Sequence, residues 1–259
     1  MKHKMRIFLL SHDRAKRGST VAMALQRHGV TPTGFVFEAY RPPKLRRRIE
    51  RRLAEQGIPV LAPKTEPKAS QNGNATPDPY ADILPAAEYA SKEGISATQV
   101  ADLTSPESLD SLRALEPDLF VHAGAGILRA PLLAIPKLGT MNAHMGLLPR
   151  YRGMNVAEWS VLEGQQAGCT VHLLDPGIDT GDIIATRTVD VSDCNSITAL
   201  RAKMDRAQLD FLAETVKSIT ETGELPPHHP QQETDGRQYF AMHADLKQVL
   251  EKRLAASTG

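Results

Sequence analysis

An open α/β sheet, mostly parallel and covered by helices on both faces, follows from three observations on this chain. Residues 5–11 (MRIFLLS) and 119–121 (LFV) are apolar without alternation, as strands buried on both faces are. Between such runs lie stretches whose apolar residues recur every three or four positions, the mark of amphipathic helices. The two patterns alternate through the first two thirds of the chain, which fits parallel strands joined by crossover helices.

In order, residues 5–11 make the first strand. The turn His12-Asp13-Arg14-Ala15-Lys16-Arg17-Gly18-Ser19-Thr20 leads into a helix over 21–28 that Gly29 stops. Two readings of this turn stand. Gly18, Ser19 and Thr20, with Arg14, Lys16 and Arg17 beside them, form an anion site, because unpaired N–H groups and the helix dipole favour negative charge there; or the segment is an N-capped helix next to a solvated basic loop. Residues 34–38 (GFVFE) form a second strand. A helix over 45–53 spaces Leu45, Ile49 and Leu53 four apart, so its arginines are its wet face. A strand over 58–62 precedes 63–79 (PKTEPKASQNGNATPDP), which is too polar to offset its ordering entropy and reads as a mobile loop, either a lid or a solvated insertion. A helix over 80–93, a strand over 95–100 and a helix opened by Ser105-Pro106 and ended by Pro117 follow.

The strand at 119–121 opens into Ala123-Gly124-Ala125-Gly126-Ile127-Leu128. Small residues at a strand's carboxyl end are where open α/β sheets receive ligands; the alternative is a plain turn into the helix begun by Pro131. Asn142 and His144 are two apart, so a strand puts both on one face. Leu147, Leu148 and Pro149 must leave that strand, and Arg150-Tyr151-Arg152-Gly153 reads as a tight loop carrying cations. A helix over 155–163 holds the only tryptophan, Trp159, as packing. Residues 168–174 (GCTVHLL) alternate as a strand with Thr170 and His172 on one side; His172, close in sequence to Asp179, either lines a ligand pocket or is an ordinary hydrogen-bonded strand residue, the reading preferred, which leaves it out of the catalytic set. Asp179 lies in Gly177-Ile178-Asp179-Thr180-Gly181-Asp182, where the glycines permit a turn that aims its side chain. A strand over 183–191 returns, and Ser196 starts a long helix with apolar residues at Leu200, Met204, Ala207, Phe211 and Ile219. The remainder holds a Pro-His loop, a strand candidate at Gln238-Tyr239-Phe240 and a helix over 244–255.

Asn142-Ala143-His144, Gly146-Leu147-Leu148-Pro149, Tyr151-Arg152-Gly153 and Asp179-Thr180-Gly181-Asp182 together resemble the signature of the folate-dependent formyltransferases in order and spacing. Gly146 stands where many members carry Ser. The resemblance is specific over 118–191 and fades on either side. It implies a Rossmann-like formyltransferase fold, with 1–195 as the catalytic domain and 196–259 as a C-terminal helical appendage packed on it. It also implies Asn142, His144 and Asp179 as the catalytic set. Such a transfer passes through a tetrahedral intermediate, so it needs a donor for the oxyanion and a base for the amine proton. An amide supplies the first, an imidazole the second, and a carboxylate stabilises the imidazolium. The bland alternative is two strand-end residues and a turn former. The resemblance further places Ala125, Gly126, Ile127 and Leu128 against the pterin of 10-formyltetrahydrofolate, with Leu174 and Ile178 on the other wall, and Gly18, Ser19, Thr20, Arg150, Tyr151 and Arg152 toward the second substrate.

Composition narrows the partners. With 259 residues, 41% hydrophobic and 24% charged, the chain reads as an ordinary globular protein. A net charge of +1 gives no general argument for nucleic acid, and no apolar run approaches membrane-spanning length. The basic amino terminus offers no cleavage site and reads as the first strand. Cys169 and Cys194 form no disulfide framework, so a reducing cytoplasm is the expected setting. His228, His229 and His243 lack the companions of a metal site, and no metal is expected. The expected partners are a small-molecule amine and reduced folate, without nucleic acid or membrane; a homodimer is left open. Methionyl-tRNA members of the family carry a sizeable C-terminal β-barrel, for which too few residues follow the long helix, which disfavours tRNA; GLLPRYRG and GIDTGDI resemble the amino-sugar members, and that resemblance makes a nucleotide-linked amino sugar the expected acceptor. Glycinamide ribonucleotide or an amino-acid-derived amine comes next, then hydrolysis of the formyl-folate, and last a non-catalytic folate-binding protein.

Overall fold

A computed structural model describes residues 4–38 and 83–257. Its elements in chain order are β1 (Ile7–His12), α1 (Lys16–Arg27), β2 (Gly34–Glu38), α2 (Ala86–Lys92), β3 (Ser96–Val100), α3 (Pro106–Ala114), β4 (Leu119–His122) and α4 (Ala130–Leu133). They continue with β5 (Thr140–His144), β6 (Tyr151–Gly153), α5 (Val156–Leu162), β7 (Gly168–Leu173), β8 (Ile183–Thr188), α6 (Ile197–Thr222), β9 (Arg237–Tyr239) and α7 (Ala244–Ser257). Seven strands form one sheet in the order β3-β2-β1-β4-β5-β7-β8. The first five are parallel; β7 is antiparallel to β5, and β8, antiparallel to β7, runs with the first five. Chain order reverses between β1 and β4, which opens a crevice at the carboxyl ends of those strands.

The central strands explain why their sequences lack alternation. Ile7 and Leu9 belong to the apolar cluster on one face, with Leu25, Phe35, Met141, Val171 and Leu212. Phe8 and Leu10 belong to the cluster on the other, with Val36, Leu112, Phe120 and Leu132. Both faces are covered, so each position contributes roughly 1.5–3 kcal/mol of burial. Helix α6 starts where Ser196 Oγ accepts the N–H of Ala199 at 3.1 Å and ends at Gly223. Its Leu209, Phe211, Leu212, Val216 and Ile219 pack on the sheet, while Leu200 and Met204 join Ala157, Met242, Leu250 and Leu254 under α5 and α7. One helix thus joins the sheet to the C-terminal segment. Among the described residues, no helix is long and apolar enough to cross a membrane.

Three differences from the sequence reading have physical reasons. Helix α1 begins at Lys16, not Val21, with Ala15 at its N-cap and no side-chain cap to mark the start. Gly18, Ser19 and Thr20 are therefore helical and buried rather than part of an open turn. Residues 151–153 are not a cation-bearing loop but a strand pairing in parallel with β9. Three residues with a partner far downstream leave no periodicity to read. The strand expected over 183–191 ends at Thr188. The expected helix over 45–53, the strand over 58–62 and the 63–79 segment lie outside the described residues.

Candidate active site

Strand β5 carries Asn142 and His144, and its antiparallel neighbour β7 sets what stands opposite. Asn142 pairs with His172 and His144 with Thr170. His172 is fully buried. Its Nδ1 lies 2.8 Å from the carbonyl of Leu173 and therefore donates, which leaves Nε2 to accept the side-chain amide of Asn142 at 3.2 Å. Burial, then the neighbouring His144, hold this imidazole well below its ordinary value, so it stays neutral and fixes the Asn142 amide. His122, at the end of β4, donates from Nε2 to the carbonyl of Ala125 at 2.8 Å, and burial lowers its pKa as well.

His144 is 8% exposed. Its Nε2 donates to the backbone carbonyl of Tyr151 at 2.7 Å, so Nδ1 is the nitrogen left to exchange a proton. Nδ1 faces Asp179 Oδ2 at 3.5 Å, longer than a good hydrogen bond and too close for a water between them, so a small closure would bring the two into direct hydrogen bonding. Asp179 Oδ2 accepts the N–H of Gly153 at 2.8 Å, and Asp179 Oδ1 stands 3.7 Å from His172 Nε2. Gly153 is required here. It has φ +96°, and a Cβ on it would lie 2.2 Å from the carbonyl oxygen of Tyr239. Gly146 packs beneath the same pair, where a Cβ would come within 2.9 Å of both His144 Nε2 and the Tyr151 carbonyl. Gly146 thus lets the Tyr151 carbonyl close on His144.

A cavity of about 850 Å³ opens beside Asn142 and His144. Its sheet side holds these two with His122; its helix side holds Lys16, Arg17 and Thr20 of α1, Glu158 of α5, and Arg201 and Asp205 of α6. The helix-side charges are tied together. Arg17 Nη1 meets Asp205 Oδ1 at 2.5 Å, and Arg201 Nε donates to the buried Glu158 at 2.6 Å. Among the described residues, no group of three or more His, Cys, Asp or Glu side chains is placed to hold a metal ion.

The residues expected to meet substrates divide. Thr20 lines the cavity, but Gly18 packs toward Ser11 and Ala86, and Ser19 Oγ donates to the carbonyl of Leu84 at 2.6 Å. Arg150 is exposed and bonds Gln165 at 3.1 Å. The buried Tyr151 gives its hydroxyl to Glu163 at 2.9 Å, and burial pushes its pKa up to about 12. Arg152, 4% exposed, donates to Gln231 and to the carbonyl of Gln232. Tyr151 and Arg152 turn away because β6 is a strand, whose side chains pack and bond around the β6–β9 pair, and Arg150 precedes it at the surface. Ala125, Leu128 and Leu174 share one apolar cluster, so the two expected folate segments abut. Gly126 is exposed, and Ile127 and Ile178 present large apolar side chains to solvent at 76% and 51% exposure. None of these six lines the cavity beside His144. Sequence reasoning set His172 aside and did not single out His122, Glu158, Arg201, Asp205 or Gln231. Only His172 gave a signal, its place on the same side of the strand as Thr170.

Comparison with known proteins accords with this architecture. The sequence model of the formyl transferase family matches residues 5–216. The methionyl-tRNA formyltransferase of Citrifermentans bemidjiense is 36% identical over 180 residues, covering 68% of this chain and 55% of that protein. That of Caldanaerobacter subterraneus is 33% identical over 186 residues, covering 71% and 59%. The chain thus spans little more than half the length of these curated relatives. Among solved structures, glycinamide ribonucleotide transformylase 1 from Symbiobacterium toebii superposes with a TM-score of 0.59 at 19% identity, over 90% of this chain and 96% of that one. A sugar N-formyltransferase from Shewanella sp FDAARGOS_354 gives 0.57 at 14% identity, over 97% and 88%. At such identities the structures share the fold. With most of its length matched by the family's sequence model, the chain belongs to the formyl transferase family.

Proposed function

We propose that this protein transfers the formyl group of 10-formyltetrahydrofolate to a primary amine of a small metabolite, first of all a nucleotide-linked amino sugar. The observation that carries the reading is that Asn142 and His144 line a cavity of about 850 Å³ while Asp179 Oδ2 stands 3.5 Å from His144 Nδ1. In the reaction, the amine lone pair attacks the formyl carbon and the carbonyl electrons move onto oxygen. The Asn142 amide, aimed by neutral His172, and protonated His144 Nδ1 donate to that oxyanion. The attacking nitrogen gives its proton to Asp179, directly or through an ordered water, the carbon–nitrogen bond to folate breaks as the departing nitrogen takes a proton from His144, and the proton on Asp179 passes to His144 to restore the starting state. The apolar segments 125–128 and 174–178 suit the flat pterin, since exposed Ile127 and Ile178 gain burial when it sits down.

The helix side of the cavity favours a hydroxyl-rich acceptor. Arg17 and Arg201 already have carboxylate partners, and such paired forks offer donors and acceptors together, as vicinal hydroxyls require. Lys16, exposed at the start of α1, suits a phosphate of the nucleotide. A second reading has its own support. The two sequence relatives described above bear the name methionyl-tRNA formyltransferase, so methionyl-tRNA belongs among the acceptors tried.

The test is incubation with 10-formyltetrahydrofolate and, in separate arms, nucleotide-linked amino sugars, glycinamide ribonucleotide, methionyl-tRNA or no acceptor, read by mass spectrometry for the added carbonyl and by formate release. Formylated amino sugar is the expected product. Formylated methionyl-tRNA alone, or formate released without acceptor at the full rate, overturns the acceptor assignment. His144→Ala should abolish turnover and spare folate binding, and unchanged turnover would refute the catalytic role of His144.

A further inference from the structure

Asp179 stands at φ +54°, in the left-handed region where a residue with a side chain persists only when its surroundings fix it. Its carboxylate is held by the N–H of Gly153. Its backbone is held by a side chain from far along the chain. Gln231 Nε2 donates to the carbonyl of Asp179 at 3.0 Å and to that of Gly181 at 2.6 Å. Its Oε1 accepts from Nε of the buried Arg152 at 3.1 Å. The flanks are tied as well: His229 and Ile183 exchange both backbone hydrogen bonds, at 2.8 and 2.9 Å, and Arg152 Nη2 donates to the carbonyl of Gln232 at 2.9 Å.

We propose that Gln231 is a positioning residue for Asp179, setting the left-handed turn that aims the carboxylate at His144 Nδ1. This rests on the reading that Asp179 assists His144 in formyl transfer. A carboxamide suits the place because it gives two donors to two carbonyls and one acceptor to a guanidinium, a combination neither a carboxylate nor an apolar chain offers. Gln231 lies beyond residues 5–216, which the family's sequence model matches, so this hold on the site comes from the C-terminal segment.

Two variants of the full chain test it, assayed with 10-formyltetrahydrofolate and the acceptor that the wild type formylates in the panel above, or by formate release where it formylates none. Gln231→Met keeps the length and loses all three bonds. Gln231→Glu keeps the acceptor for Arg152 and loses both donors. Each should lower kcat about tenfold, leave KM for both substrates within about twofold, and move the midpoint of kcat against pH. In an Asp179→Asn background, Gln231→Met should cost no further rate. A wild-type kcat and pH midpoint in both variants overturns the proposal, as does a full additional loss in the Asp179→Asn background, which would mark a merely structural role. If Gln231→Met melts below the assay temperature, Gln231→Glu decides alone, since its carboxylate still holds Arg152. Full activity of Asp179→Asn by itself refutes the assignment of Asp179, a failure separate from that of Gln231.

Discussion

The two walls of the cleft are built on opposite principles. On the sheet side, Asn142 and His144 take their places from a backbone ladder, and each is held by one short bond to a neutral group, His172 Nε2 or the Tyr151 carbonyl. On the helix side, Arg17, Glu158, Arg201 and Asp205 sit on three different helices and hold one another through long charged side chains. A ladder fixes atoms with little freedom. The partly exposed Arg17–Asp205 pair contributes little stability and can trade partners with a ligand, whereas Arg201 reaches from the surface onto the buried Glu158. On the proposed function, bond-making falls to the sheet and choice of acceptor to the helices.

The largest effect should come from the sheet wall. Asn142→Ala removes an oxyanion donor and should lower kcat by about 10²–10³-fold with folate binding retained, measured by steady-state kinetics alongside folate titration. A fall in kcat below about tenfold would remove the amide from the chemistry. On the helix wall, Arg17→Ala should raise KM for the acceptor by about tenfold with kcat nearly unchanged, because its contact is uniform between ground and transition state. A loss confined to kcat would erase the distinction between the walls. The smallest effect is on stability. Burial holds His172 below its ordinary 6.5, so the unfolded chain takes up a proton first as pH falls. The stability tied to its neutral form is complete above that value and declines below it. His172→Gln should narrow the gap between urea midpoints at neutral and mildly acidic pH; an unchanged gap would mean His172 is free to charge in the folded state.

How far the sequence could be read follows the same division. The two-sided apolar runs of β1 and β4 announced a buried parallel sheet, and the spacing of Asn142 and His144 put them on one face, because strand geometry is local. The position of His172 opposite Asn142 depends on an antiparallel register thirty residues away, which alternation alone does not specify. Arg150, Tyr151 and Arg152 looked like substrate contacts because cations near a site usually are; Arg152 is instead turned inward onto Gln231 and Gln232 by a strand partner no pattern announces. The early start of α1 went unread because Ala15 gives no capping signal. The pairing of Arg17 with Asp205 and of Arg201 with Glu158 is tertiary and leaves no mark on either segment.

The short ladder between β6 and β9 bears on how the protein comes into being. Synthesis has delivered all seven strands of the large sheet once Thr188 emerges from the ribosome, whereas Gln231 and Tyr239 follow only after the whole of α6. On the proposed role of Gln231, a nascent chain that has buried the sheet and α6 would still be chemically silent until the late segment docks onto Gly153 and the turn around Asp179.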